Sequence, residues 1–152
     1  MITYNTINTE MPDIDKQAVA AWIKQVAATY NKVVGDINYI FVDDSTILDI
    51  NRRFLGHDYY TDHIGFDYSS DGALSGDIYI SLDTVRTNAE QFGATQNEEL
   101  HRIIIHGLLH LCGLRDKTPE ERAEMQKAED KALASALTPI REKGKCMGKG
   151  RD

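Results

Sequence analysis

The segment from Thr95 to Asp116 constrains this chain more than any other stretch. Thr95-Gln-Asn-Glu98 matches a capping box, in which a Thr and a Glu three residues later satisfy orphan N–H groups at a helix start. The run ELHRIIIHGLLHLC then reaches Gly113, a residue suited to ending a helix. Leu108, Leu109 and Leu111 form a buried stripe, so the helix is expected to lie against a core. His106 and His110 stand four residues apart, and side chains at that spacing leave a helix on one face.

Two imidazoles on one face can meet a single cation, and neutral imidazole suits zinc and its neighbours. Gly113 lets the chain turn back, and Asp116, six residues after His110, can return a carboxylate to the same point. Three protein ligands leave a tetrahedral ion one position for water, the arrangement of a catalytic site. Such an ion brings bound water to a pKa of about 7. Spacing alone leaves a second reading open, in which the histidines satisfy themselves by core hydrogen bonds. The Gly-x-x-Asp return favours the metal, with His106, His110 and Asp116 as ligands. His101 points elsewhere, and His57 and His63, flanking a Tyr-rich loop, are expected to be exposed.

The rest of the chain reads as elements that could cover such a helix. Asp15 to Tyr30 has Val19, Trp22, Ile23 and Val26 at helical spacing. Ile37 to Val42, His63 to Tyr68 and Asp77 to Leu82 read as strands. Asp43-Asp44-Ser45 offers capping side chains for a helix running to about Phe54, stopped by Gly56, and Asp83 to Phe92 forms another, stopped by Gly93. Thr118-Pro119-Glu120-Glu121 opens a last helix toward Ala136. The sum is an α+β fold, a small mixed sheet covered by helices, with a zincin-like metal helix. Residues 1–138 are expected to form one domain and 139–152 a basic, frayed tail.

Composition narrows the class. Among 152 residues, 41% are hydrophobic and 27% charged, as in ordinary globular domains. No apolar run approaches the roughly 18 residues of a membrane span, and the first residues lack the features of a secretory signal. Cytoplasm is therefore the expected compartment. The two cysteines, Cys112 and Cys146, form no CxxC pair; Cys112 reads as a small core residue and Cys146 as a free thiol in the tail. A net charge of −7 argues against DNA binding, so any RNA contact needs a local basic patch. Arg52–Arg53, Arg115–Lys117 and the tail after Pro139 supply the candidates.

The stretch His106-Gly-Leu-Leu-His-Leu-Cys-Gly-Leu-Arg-Asp116 resembles the H-G-x-L-H-L-x-G-x-D-H signature of the YbeY-type endoribonuclease family. Residues 50–66 are similar to that family's L-N-x-x-Y/F-R-G-x-D-x-x-T-D-V-L-S-F stretch, retaining Asn51, Phe54, Gly56, Asp58, Thr61, Asp62, Ile64 and Phe66. Gly76-Asp77-Ile78 with Ile80-Ser81 matches its G-D-I-x-I-S strand. The resemblance covers most of residues 15–137. It implies an α+β domain with one zinc ion and single-strand-specific RNA cleavage, acting in 16S rRNA 3′-end maturation and ribosome quality control. Ribosomal RNA is the implied partner, with the small ribosomal subunit as a further candidate. The family's third histidine is Asp116 here, acceptable because carboxylate oxygen also binds zinc. The family's arginine, assigned to catalysis or RNA binding, falls at Leu55, which leaves Arg52, Arg53 and Arg115 as candidate phosphate contacts. Val and Ser of the pattern are His63 and Gly65.

Three functions compete. The first is a metal-dependent endoribonuclease, with Asp62 and Asp77 as groups that could orient a ligand histidine. The second is a non-catalytic ribosome-assembly factor with a structural metal, favoured by the lost arginine and the acidic charge. The third is a metallopeptidase, disfavoured because H-E-x-x-H needs a Glu where Gly107 stands.

Overall fold

A computed structural model, which describes residues 1–56 and 61–136, contains four strands and five α-helices among those residues. Their order is β1 (Ile2–Ile7), α1 (Lys16–Thr29), β2 (Val33–Val42), α2 (Asp44–Ile50), β3 (His63–Asp67), β4 (Ala73–Ser81), α3 (Leu82–Phe92), α4 (Gln96–Leu111) and α5 (Pro119–Ala134). The sheet order is β1-β2-β4-β3. β1, β2 and β4 run parallel, and β3 is antiparallel to β4. This is the α+β fold with a small mixed sheet that the alternating pattern implied. His57, Cys146 and the basic tail at 139–152 lie outside the described residues.

Local chemistry sets most helix boundaries. Asp15 accepts from the Ala18 N–H and Asp43 from the Thr46 N–H. The capping boxes Thr95/Glu98 and Thr118/Glu121 both form in full, the second with Pro119 in the first turn. Gly56 and Gly93 end their helices in the left-handed region, at φ 68° and 66°.

Three differences from the sequence pattern have physical reasons. α2 stops at Ile50 and continues as a π-helical turn, Asn51–Leu55, where a plain helix to Phe54 was expected. β2 and β4 each begin four residues earlier than their apolar alternation suggests. The extra residues pair across an irregularity between Val34 and Ile37. At Gly35 an added Cβ would lie 2.6 Å from the Ser75 hydroxyl oxygen and 3.0 Å from the Leu74 carbonyl oxygen, so a side chain there would turn Ser75 away and press on the paired strand. β1 was not anticipated; it is an edge strand held by parallel pairing to β2.

One face of the sheet carries the main core. Ile37, Tyr39, Phe41, Leu74, Ile78 and Ile80 pack with Trp22 and Ile23 of α1 and with Ile104, Ile105, Leu108 and Leu109 of α4. The two buried polar tips find partners, as desolvated donors must: Tyr39 Oη donates to the Ile104 carbonyl at 3.0 Å and Trp22 Nε1 to the Ala132 carbonyl at 2.8 Å. A smaller cluster on the opposite face joins Ile40, Val42 and Ile64 to Ile47 and Ile50 of α2. Cys112 packs against the main core, and burial pushes its thiol up to about 11.

Candidate metal centre

α4 crosses the sheet at close range because of Gly107. A Cβ there would sit 2.9 Å from Ile78 Cγ2 and 3.0 Å from Cδ1. The contact buries Leu108 and Leu109 completely and turns His106 and His110, one residue before and three after Gly107, to the helix edge. Their side chains are 12% and 32% exposed. After Cys112, Gly113 adopts φ 105°, a conformation that favours glycine, and the chain doubles back to Asp116.

The three expected ligand atoms converge. His110 Nε2 lies 3.0 Å from His106 Nε2 and 3.2 Å from Asp116 Oδ2, and His106 Nε2 lies 3.3 Å from the same oxygen. Ligands at about 2.0–2.1 Å from a tetrahedral ion stand about 3.3 Å apart. The proton positions agree. His110 Nδ1 is 3.0 Å from the Leu114 carbonyl, which can only accept, so Nδ1 donates and Nε2 presents its lone pair. His106 Nδ1 donates in the same way to Glu129 Oε2 at 2.5 Å. Two imidazole lone pairs and a carboxylate oxygen facing each other at this range repel unless a proton or a metal cation lies between them. The donor set therefore fits a divalent metal ion.

His63 departs from expectation. It is the first residue of β3, with a side chain 19% exposed, where an exposed loop histidine was expected. Antiparallel pairing sets it opposite Ile80 and delivers its ring to the site. The ring centroid is 4.5 Å from that of His106, edge-on, and 5.8 Å from that of His110. Potential ligand atoms of His63, His106 and His110 lie within 4.8 Å of one another. No local spacing signals this, because strand register decides it.

The groups behind the ligands were also partly missed. Glu129 of α5 has a nearly buried side chain and bridges His106 to Arg102, whose Nη1 donates to Oε1 at 2.8 Å. Arg102 Nη2 also reaches Asp130 at 2.6 Å. Burial alone would lower the His106 pKa, but the hydrogen bond and charge of Glu129, with Asp62 and Asp116 adding, leave it raised. Burial would raise the Glu129 pKa, yet the bonds and charges of His106 and Arg102 hold it lowered. His110 falls, through burial first and the charge of His106 second. Of the two expected orienting aspartates, Asp62 accepts from His63 Nδ1 at 2.8 Å. That bond and the His63 charge outweigh burial and lower its pKa. Asp77 instead alternates with Gly76 and Ile78, the residues of β4 that face α4, and so points off the opposite face of the sheet.

A groove of about 490 Å³ opens beside the centre, bordered by Leu55, His63, His110, Asp116 and Lys117. Among the described residues the basic one bordering it is Lys117, part of the Arg115–Lys117 patch that the sequence offered. Arg53 pairs with Asp49 at 3.2 Å, and Arg115 lies 3.7 Å from Glu121 with 73% of its side chain exposed. Arg52 belongs to the same π-helical turn as Arg53. None of these three arginines borders the groove.

Known proteins give the geometry a family. A family model described as Endoribonuclease YbeY matches residues 4–136. A Bacteroides thetaiotaomicron protein named Endoribonuclease YbeY is 60% identical over 133 residues, covering 88% of this chain and 97% of its own length. The protein of the same name from Porphyromonas gingivalis is 48% identical over 132 residues, 87% of either chain. The solution structure of TM1509 from Thermotoga maritima shares the fold at a TM-score of 0.64 and 23% identity, covering 96% of this chain and all of its own. The chain belongs to the YbeY endoribonuclease family.

Proposed function

We propose that this protein is a metal-dependent, single-strand-specific endoribonuclease that acts in 16S rRNA 3′-end maturation and ribosome quality control. Family membership makes it a nuclease that hydrolyses phosphodiester bonds in RNA. The observation that carries metal dependence is the convergence of two Nε2 atoms and a carboxylate oxygen, each imidazole held by a bond at Nδ1. His106, His110 and Asp116 would hold the ion, for which zinc is the proposed identity. When bound, it would polarise a phosphodiester oxygen and activate water. Glu129 keeps His106 in the tautomer that offers Nε2, and the Leu114 carbonyl does the same for His110.

The groove supplies the substrate side of this reading. Lys117 stands at its border and Arg115 beside Asp116, so both can meet phosphate oxygens. The exposed Arg115–Glu121 contact is weak enough to exchange for RNA. Arg52 and Arg53 would contact backbone phosphates farther along the strand. No helix among the described residues is long and apolar enough to cross a membrane.

The assembly-factor reading rests on Leu55, which puts an apolar wall in the groove at the family's arginine position. The peptidase reading meets a steric objection: a Glu at 107 would drive its Cβ into Ile78. The test is cleavage of single-stranded and duplex RNA carrying the 3′ region of 16S rRNA, with chelator and with zinc added back. Cleavage of the single strand should stop with chelator, return with zinc and be absent in His110→Ala. Equal cleavage by His110→Ala would remove the catalytic claim, and zinc binding without any cleavage would favour the assembly factor.

A further inference from the structure

We propose that His63 is a fourth protein donor to this metal, so that the resting ion is held by three imidazoles and the Asp116 carboxylate. The inference rests on the preceding reading that the centre binds a metal, and it concerns how the coordination shell is completed.

The first observation is proximity from an independent element. His63 comes from β3, the other histidines from α4, yet their ligand atoms lie within 4.8 Å of one another. The second is orientation. Asp62 accepts from His63 Nδ1 at 2.8 Å, so Nε2 is the atom left to coordinate, as it is in His106 and His110. The Asp62 carboxylate is itself held by Asn88 Nδ2 at 3.4 Å, and its backbone carbonyl accepts from Ser81 at 3.0 Å. An aspartate behind a histidine is the arrangement that fixes ligand imidazoles elsewhere. All three histidines here share it in kind: an oxygen acceptor at Nδ1, which leaves Nε2 as the atom to coordinate.

The third observation is reach. Tetrahedral donors stand about 3.3 Å apart, so His63 needs to close on the other two imidazoles by at most about 1.5 Å, within the range of a side-chain torsion on a strand end. Gly65, two residues on and also bordering the groove, puts no side chain beside His63 and has open space where a Cβ would be. A shell of four protein donors has no vacant position. Substrate or water must then displace a donor or expand the shell, which sets this chain apart from a site with three ligands.

The test uses the full chain, stripped by chelator and titrated with Co²⁺, whose visible absorption reports coordination number. Zinc affinity is then read by competition with a chromophoric chelator. Wild type should bind one ion with an intense four-coordinate spectrum. His63→Phe keeps a ring in place but removes both nitrogens, and His63→Ala serves as a second variant should Phe perturb folding. Both should still bind one ion, with a changed Co²⁺ spectrum and affinity at least about 10-fold weaker. His110→Ala, which leaves His63, His106 and Asp116 as donors, should weaken binding at least as much. Spectra and affinities of both His63 variants equal to wild type would overturn the proposal while leaving the three-ligand centre intact. Wild type that takes up no Co²⁺ or Zn²⁺ would overturn this proposal and the metal reading together.

Discussion

Glu129 is one carboxylate shared between two cationic or hydrogen-bonding side chains, and its position decides the chemistry of His106. One oxygen meets His106 Nδ1 and the other Arg102 Nη1, with the Glu129 side chain 7% exposed. Glu129→Gln should weaken zinc affinity by about 10–100-fold, since the group that fixes a ligand tautomer typically contributes that much. It should also cost roughly 3 kcal/mol of stability by leaving Arg102 buried with only Asp130 as counter-charge. Competition titration and denaturant unfolding measure the two effects, and unchanged zinc affinity would remove Glu129 from the centre. At the same scale, Gly107→Ala gains about 1 kcal/mol of helix propensity. It should still be destabilising overall, because overpacking against fully buried Ile78 costs about 1–3 kcal/mol. In an Ile78→Ala background the same change should become stabilising, a coupling that a double-mutant cycle detects. Additivity in that cycle would mean the helix–strand contact is not what requires glycine.

At the scale of elements, the centre is assembled by helix ends as much as by helices. α5 begins at the Thr118 capping box only two residues after Asp116, so one local motif both closes the ligand loop and aims Glu129 at His106. Thr118→Ala should cost about 1 kcal/mol, seen as a lower denaturation midpoint with an unchanged unfolding slope. A loss well under half that value would mean Pro119 and Glu121 start the helix without the threonine. Legibility divides along the same line. The α4 and α5 capping boxes, the Gly93 and Gly113 stops and the i, i+4 histidines are local, and each could be read from a few neighbouring residues. β1 and the early starts of β2 and β4 could not, because they exist through pairing across an irregular register. The π-helical turn at Asn51–Leu55 likewise carries no pattern distinct from an ordinary helix.

For the molecule as a whole, acid stability should expose a histidine outside the candidate metal centre. His101 is 4% exposed, packs at a tilt on Trp22 with centroids 6.0 Å apart, and places Nδ1 2.7 Å from the Asn97 carbonyl. Burial lowers its pKa, and the Asn97 bond only partly offsets this. The unfolded chain therefore binds its proton first. The stabilising contribution is complete above the unfolded value of about 6.5 and is lost as pH falls through the lowered folded value. His106, raised in the metal-free chain, contributes in the opposite sense: fully below about 6.5 and lost as pH rises through its folded value. Glu129 and Asp62, both lowered, matter only below about pH 4.5. Metal-free wild type should lose more stability between pH 7 and 5 than His101→Gln, measured by denaturant unfolding in chelator. Equal losses would acquit His101.

Sequence alone determined what lies within about one helical turn and one tight turn. It placed His106 and His110 on one face, made Gly113 the point of return, and put a carboxylate at 116 within reach, because helix periodicity and glycine's backbone freedom are properties of short stretches. It also carried the family likeness through three ordered motifs. Tertiary structure decided that His63 leaves the loop environment expected for it, that Glu129 from 23 residues downstream of His106 orients that ring, and that Lys117 rather than an arginine borders the groove. Those outcomes depend on strand register and helix packing, where residues meet because distant segments bury a common core, and no local spacing encodes the meeting.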